Sequence, residues 1–219
     1  MRSRIPTAAF RILCLWLSSF LLFSVHFAQA QDSPVFKDGI FLNFSDIKKN
    51  QPIAFSRVVS VITENPKEIF DQKEVEYVND FGVKTKVKTT DIWGYADKGA
   101  LFVQINNEFH RVTMTGTISH LFVNEKVVQS SHYDPYYYGY GSPMYSPTYE
   151  SNRLVQYLID FNTGAVYPMQ LSTVEMLISP DNALFTEFMK LKKRKRKQMM
   201  LMYIRRFNEN NPLILSTEK

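Results

Sequence analysis

Val83-Lys84-Thr85-Lys86-Val87-Lys88-Thr89 decides the fold class, together with the stretch that follows it, Ile92-Trp93-Gly94-Tyr95-Ala96-Asp97-Lys98-Gly99-Ala100-Leu101-Phe102-Val103-Gln104-Ile105. In the first segment valine and threonine alternate with lysine. A period of two belongs to a strand, with Lys84, Lys86 and Lys88 on one solvent-facing side. In the second, two apolar runs flank Asp97-Lys98-Gly99, and glycine supplies the positive φ that a tight hairpin turn requires. Asn106-Asn107 is a further turn. Phe109 to Val123 then reads as one long or two short strands, with Gly116 at a bulge or bend. The connections are too short for helical crossovers, so residues 83–123 read as an antiparallel meander. Trp93 and Phe102 are expected to be buried on facing strands.

Upstream, Gly39-Ile40-Phe41-Leu42 reads as a short strand. Ser45 is placed to cap a brief helix through Lys49, ahead of Asn50 and Pro52. Residues 53–62 form a β-branched run, and Glu74 to Val78 alternates. Downstream, Arg153 to Ile159 is a strand, Asp160 to Gly164 a turn and Ala165 to Tyr167 the return. The C-terminal part changes period. Ser172 and Glu175 have capping-box spacing. Ser179-Pro180 then predicts a helix running to about Asn208, roughly 28 residues or ~42 Å long. Leu184, Phe188, Leu191, Met199 and Met202 mark its apolar stripe. The expected fold is α+β: an antiparallel β-meander or small open barrel, then a long basic C-terminal helix. Residues 31–171 form the β-rich body, 172–210 the helical segment and 211–219 a tail.

The first thirty residues have the three parts of a cleavable signal peptide. Arg2, Arg4 and Arg11 make a positive start, Ile12 to Phe27 is an apolar run, and Ala28-Gln29-Ala30 carries the small residues of a cleavage site. The run is shorter than the ~20 residues that span a bilayer. Cleavage after Ala30 is expected, which places the mature chain in the periplasm or outside the cell. It also removes Cys14, the one cysteine. Disulfides, thiol nucleophiles and thiolate metal sites are thereby excluded, and the fold must rest on its apolar core.

Charge is split along what remains. Residues 31–189 carry 13 Lys/Arg against 19 Asp/Glu, a net −6, and residues 190–219 carry 10 against 2, a net +8. Lys192, Lys193, Arg194, Lys195, Arg196 and Lys197 form the densest run. Such asymmetry points either to an anionic partner, such as lipid headgroups, or to a solvated, internally paired helix face. Export makes nucleic acid an unexpected partner. The mature chain contains no second apolar run long enough to span a membrane.

Residues 129–150 interrupt the strand pattern, with seven tyrosines among prolines and glycines. They read as a long loop. Tyrosine gives rigid, amphipathic contact area with few rotors to order, so Tyr136, Tyr137, Tyr138 and Tyr140 are candidate contacts for a sugar or peptide. The plain alternative is a low-complexity loop without a ligand.

Four motifs carry a resemblance: Gly39-Ile40-Phe41-Leu42-Asn43-Phe44, Ile92-Trp93-Gly94-Tyr95-Ala96-Asp97, Asp160-Phe161-Asn162-Thr163-Gly164-Ala165-Val166 and Tyr203-Ile204-Arg205-Arg206-Phe207-Asn208. Through them the chain resembles uncharacterised exported proteins of Bacteroides-type bacteria. The resemblance implies an exported context and no particular chemistry.

Catalytic signals are sparse. There is no G-x-S-x-G elbow and no glycine-rich phosphate loop. His110, His120 and His132 lie ten or more residues apart, unlike the close spacings of metal ligands, so no metal and no cofactor is expected. Asp91, Asp97 and Glu108 flank the Trp93 hairpin, and paired carboxylates ~5–9 Å apart can hydrolyse glycosides. The expected function is therefore a non-catalytic binding or envelope-associated protein. The alternative is a hydrolase acting on envelope polymers or glycans. A cleft holding two of these carboxylates would favour the enzyme, and isolated carboxylates at turns the binder.

Overall fold

A computed structural model describes residues 36–59, 66–130 and 148–215. Strands β1 (Gly39–Phe41), β4 (Gly94–Asp97), β5 (Ala100–Ile105), β6 (Glu108–Met114), β7 (Ile118–Ser130), β8 (Thr148–Asp160) and β9 (Val166–Pro168) form one antiparallel sheet in that order. The sheet curls into a half-barrel. Its tight turns have the chemistry expected of them. Lys98 and Gly99 take φ of 51° and 74°, and Asn106 and Asn107 take 54° and 64°. Two consecutive left-handed residues match the twist of the strands they join.

The expected meander over 83–123 starts too early. β2 (Glu74–Val78) and β3 (Lys84–Lys88) pair only with each other, as a separate two-stranded sheet. The three lysines of β3 are exposed, as the alternation requires. The break falls at a 3₁₀ turn, Thr89–Asp91, where Thr89 Oγ1 donates to the Gln72 carbonyl at 2.5 Å and bends the chain out of line. The run 53–62 is not a strand within its described part. Phe55–Arg57 is a 3₁₀ turn, and Ile53 and Val58 make isolated bridges.

Alternation along the strands gives the sheet two apolar faces. One carries Phe41, Ala96, Leu101, Val103, Leu121, Val123 and Ile159, packed with Phe36, Ile47 and Phe161. The other is covered twice. The β2–β3 hairpin and helix α2 (Pro66–Phe70) cover Ile40 and Phe109, with Val75 and Ile69 at the centre. Helices α3 (Leu171–Ile178), α4 (Asn182–Lys190) and α5 (Lys193–Asn210) cover Ile118 and Leu158.

The expected 28-residue helix is two helices. Leu191 and Lys192 have ψ of 144° and 145°, which breaks the chain between α4 and α5. A straight rod could not place Leu184 and Phe188 in the same core as Tyr203, Ile204 and Phe207. Folding back at Leu191 does so, and Phe188 then lies 4.6 Å from Tyr203. Met202, expected on the apolar stripe, is exposed as a result. The caps also differ from expectation. Asn43, not Ser45, caps α1 (Phe44–Lys48) and shares a capping box with Asp46. Gln170 precedes α3 without a side-chain cap, and Asp181 caps α4 through the Leu184 amide.

Trp93 is half-buried beside the first core, 5.5 Å from Phe44. The residue facing Phe102 is Tyr95, not Trp93, because the strand begins at Gly94 and its register pairs Tyr95 with Phe102. Gly116 lies between β6 and β7, and the register shift falls between Val112 and Met114. β7 and β8 stay paired over 13 residues each, well past the ends of β6 and β9. Residues 129, 130 and 148–150, expected in the loop, belong to these strands.

Candidate functional site: a basic cleft between two helices

Helices α3 and α5 diverge around a cleft of about 750 Å³. Met169, Gln170, Leu171 and Ser172 line the α3 side with Glu175, and Lys193, Arg196, Lys197 and Met200 line the α5 side. The spacing of α5 makes this possible, since residues 193, 196, 197 and 200 recur at i, i+3, i+4 and i+7 on one helix face. Arg196 is held in place. It pairs with Glu175, and its Nη1 lies 3.0 Å from the Met189 sulfur. The Arg196 Nε is buried and has no hydrogen-bond partner among the described residues.

The electrostatics of this end of α5 run against the helix. Lys192 stands at the N-cap without a capping side chain, and the first turn contains no acid. The N-terminus of a helix already carries partial positive charge and unpaired N–H groups. Lys192, Lys193, Arg194, Lys195 and Lys197 are exposed, and among the described residues none of them makes an ion pair. Arg206 further along α5 is committed elsewhere, to Glu187. Of the six residues of the run, Arg196 alone pairs internally among the described residues; Lys193, Arg196 and Lys197 line the cleft, while Lys192, Arg194 and Lys195 lie outside its lining.

Tyr136, Tyr137, Tyr138 and Tyr140 lie outside the described residues. The chain reaches their segment through the paired ends of β7 and β8. Beyond Val123 and Val155 these strands form a two-stranded ribbon with about seven further residues each, or ~23 Å at the rise of a strand.

The histidines do not converge. His110 pairs with Val103 on β5, and its Nε2 is buried without a partner among the described residues. His120, 4% exposed, ties three strands together. Its Nδ1 lies 2.9 Å from Thr113 Oγ1 on β6 and its Nε2 3.0 Å from Gln156 Oε1 on β8. Burial lowers the pKa of His120; the Gln156 bond opposes this and the Arg205 charge adds to it. Gln156 Oε1 accepts from Nε2–H, and the single Thr113 hydroxyl proton lies between Nδ1 and the His120 carbonyl oxygen, 3.0 Å from Oγ1. Among the described residues no group of three His, Cys, Asp or Glu is placed to hold a metal.

The carboxylates near Trp93 share no pocket among the described residues. Asp91 ends a 3₁₀ turn, Asp97 ends β4, and Glu108 opens β6 beside a small pocket that neither of the others lines. Sequence reasoning missed Glu175 as the anchor of Arg196, because its capping-box spacing assigned it to the start of its own helix. No known protein family, curated protein or solved structure matches this chain.

Proposed function

We propose that this chain is an exported, non-catalytic envelope protein that holds an anionic group in the cleft between α3 and α5. The supporting observation is the imbalance in that cleft: Lys193, Arg196 and Lys197 face a single carboxylate, Glu175, at an uncapped helix N-terminus. An anion placed there would meet three cations and unpaired backbone N–H groups together. Phospholipid or lipid A headgroups are the anions an envelope protein meets at highest density. Lys192, Arg194 and Lys195, outside the cleft, would add long-range attraction of about 1 kcal/mol per charge near an anionic surface. The apolar run and Ala28-Gln29-Ala30 support export. No helix among the described residues is long and apolar enough to cross a membrane.

Flotation with phosphatidylglycerol vesicles, compared with phosphatidylcholine vesicles, tests the reading. Binding is expected to the anionic vesicles alone, to weaken as salt rises, and to be lost in a Lys193→Gln, Lys197→Gln variant. Equal flotation with both vesicles, or with wild type and variant, would reject it.

A further inference from the structure

A second pocket, on different elements and of opposite charge, lies where α2 and the β4–β6 part of the sheet meet. Three aromatic rings converge there. Phe70, at the end of α2, stacks on Tyr95 of β4 with centroids 4.5 Å apart, and Phe109 of β6 lies 4.4 Å from Phe70 and 5.3 Å from Tyr95. Phe102 backs the cluster, parallel to Tyr95 at 4.6 Å. The rings line a pocket of about 260 Å³ with Asp71, Asn107 and Glu108. Asp71 and Glu108 are exposed, and neither forms an ion pair among the described residues.

Tyr95 is the informative member. It is 2% exposed, lines the pocket, and its hydroxyl has no hydrogen-bond partner among the described residues. Burial, with the charge of Asp97, pushes its pKa up to about 12, so the phenol keeps its proton. The ring is buried but its hydroxyl keeps contact with solvent in the pocket, where a ligand atom can reach it. The surrounding chemistry selects the sign of that ligand. Tyr95 is stacked by Phe70 and by Phe102, so a cation would meet the rings of Phe70 and Phe109 and only the hydroxyl of Tyr95. Two unpaired carboxylates attract it as well, and the Tyr95 oxygen offers an acceptor to an N–H donor.

We propose that Phe70, Tyr95, Phe109, Asp71 and Glu108 form a pocket for one alkylammonium or guanidinium group, carried either by a basic side chain or by a small free amine.

Titration of the isotope-labelled protein with Nα-acetyl-arginine amide, Nα-acetyl-lysine amide, butylamine and methyl glucoside tests the pocket and separates the sources. The amides stand for basic side chains, butylamine for free amines and the glucoside for neutral ligands. Shifts at Phe70, Tyr95 and Phe109 are expected with the cations and not with the sugar. Asp71→Asn with Glu108→Gln, both at exposed positions, should weaken binding by about tenfold or more while leaving the melting temperature in place. Tyr95→Phe should melt no lower than wild type, since its hydroxyl holds no protein partner, yet bind the cations more weakly. No response to any cation at millimolar concentration would overturn the proposal. Sugar binding that survives the double neutralisation would overturn it too, and a melting loss in Tyr95→Phe would show that the hydroxyl is structural.

Discussion

Glu187 on α4 holds Arg206 on α5 through two parallel hydrogen bonds, 2.5 Å from Oε1 to Nη1 and 2.7 Å from Oε2 to Nη2. Tyr203 donates to the same Glu187 Oε1 at 2.8 Å, and the Arg206 guanidinium lies 5.1 Å from the Tyr203 ring centre. This cluster joins the two helices that the break at Leu191 brings back on each other. Arg206 and Tyr203 hold the Glu187 carboxyl at a pKa of about 2, against an ordinary 4.5. A depressed carboxylate pKa contributes stability above the unfolded value and loses it as pH falls through the folded one. Wild type should therefore melt above Glu187→Gln at pH 7, and the two should converge between about pH 4.5 and 2. Thermal melts across that range check it; a constant gap would show that the pair contributes nothing ionic.

The same logic applies with the sign of a base to His120. Burial lowers its folded pKa below 6.5. Between the unfolded value and the lowered folded one, the unfolded chain binds a proton that the native ring refuses. Stability should thus decline as pH falls below about 6.5, and His120→Gln should flatten that decline. Denaturant melts from pH 8 to 5 measure it. A decline that persists unchanged in the variant would assign it to other groups.

Asn208 fastens α5 to the sheet. Its Oδ1 accepts from the Ile118 amide at 2.8 Å and its Nδ2 donates to the Ile118 carbonyl at 2.8 Å, both buried. Asn208→Ala would leave two backbone groups of β7 unsatisfied, at roughly 1–3 kcal/mol each. Asn208→Asp keeps the acceptor for the Ile118 amide but sets a second carboxylate oxygen against the Ile118 carbonyl in a buried site, so at neutral pH it should be no milder than Asn208→Ala. Urea unfolding of the two variants checks this order.

Trp93 and Phe161 should differ in a way that tests the core. Phe161 is 1% exposed in the first core, while Trp93 is half-buried at its margin. Phe161→Ala is expected to cost about 3–5 kcal/mol, the range for deleting a buried aromatic ring. Trp93→Ala should cost less. A larger loss at Trp93 would show that the margin, not the centre, carries the stability.

The strands from β4 to β6 were legible because each is set by its own residues. Alternation places side chains on faces, and Lys98-Gly99 and Asn106-Asn107 specify their turns within a few residues. The exposed lysines of β3 were equally local, and so was the +8 charge of the C-terminal segment. What the chain alone could not decide depends on contacts between residues far apart. Nothing near Val83 says that β3 pairs backwards with β2 rather than forwards with β4. Nothing at Leu191-Lys192 resembles a helix breaker. The break is imposed because Phe188 and Tyr203 can share one core only if the chain turns between them. Both candidate sites are of this second kind. Glu175 meets Arg196, 21 positions away, across a fold-back that periodicity reads as a continuous helix. Phe70 meets Tyr95 and Phe109 because the hairpin swings α2 over the sheet. Residue types and their local spacing determine the elements, whereas burial of apolar surface between distant elements determines where the elements meet, and the sites lie at those meetings.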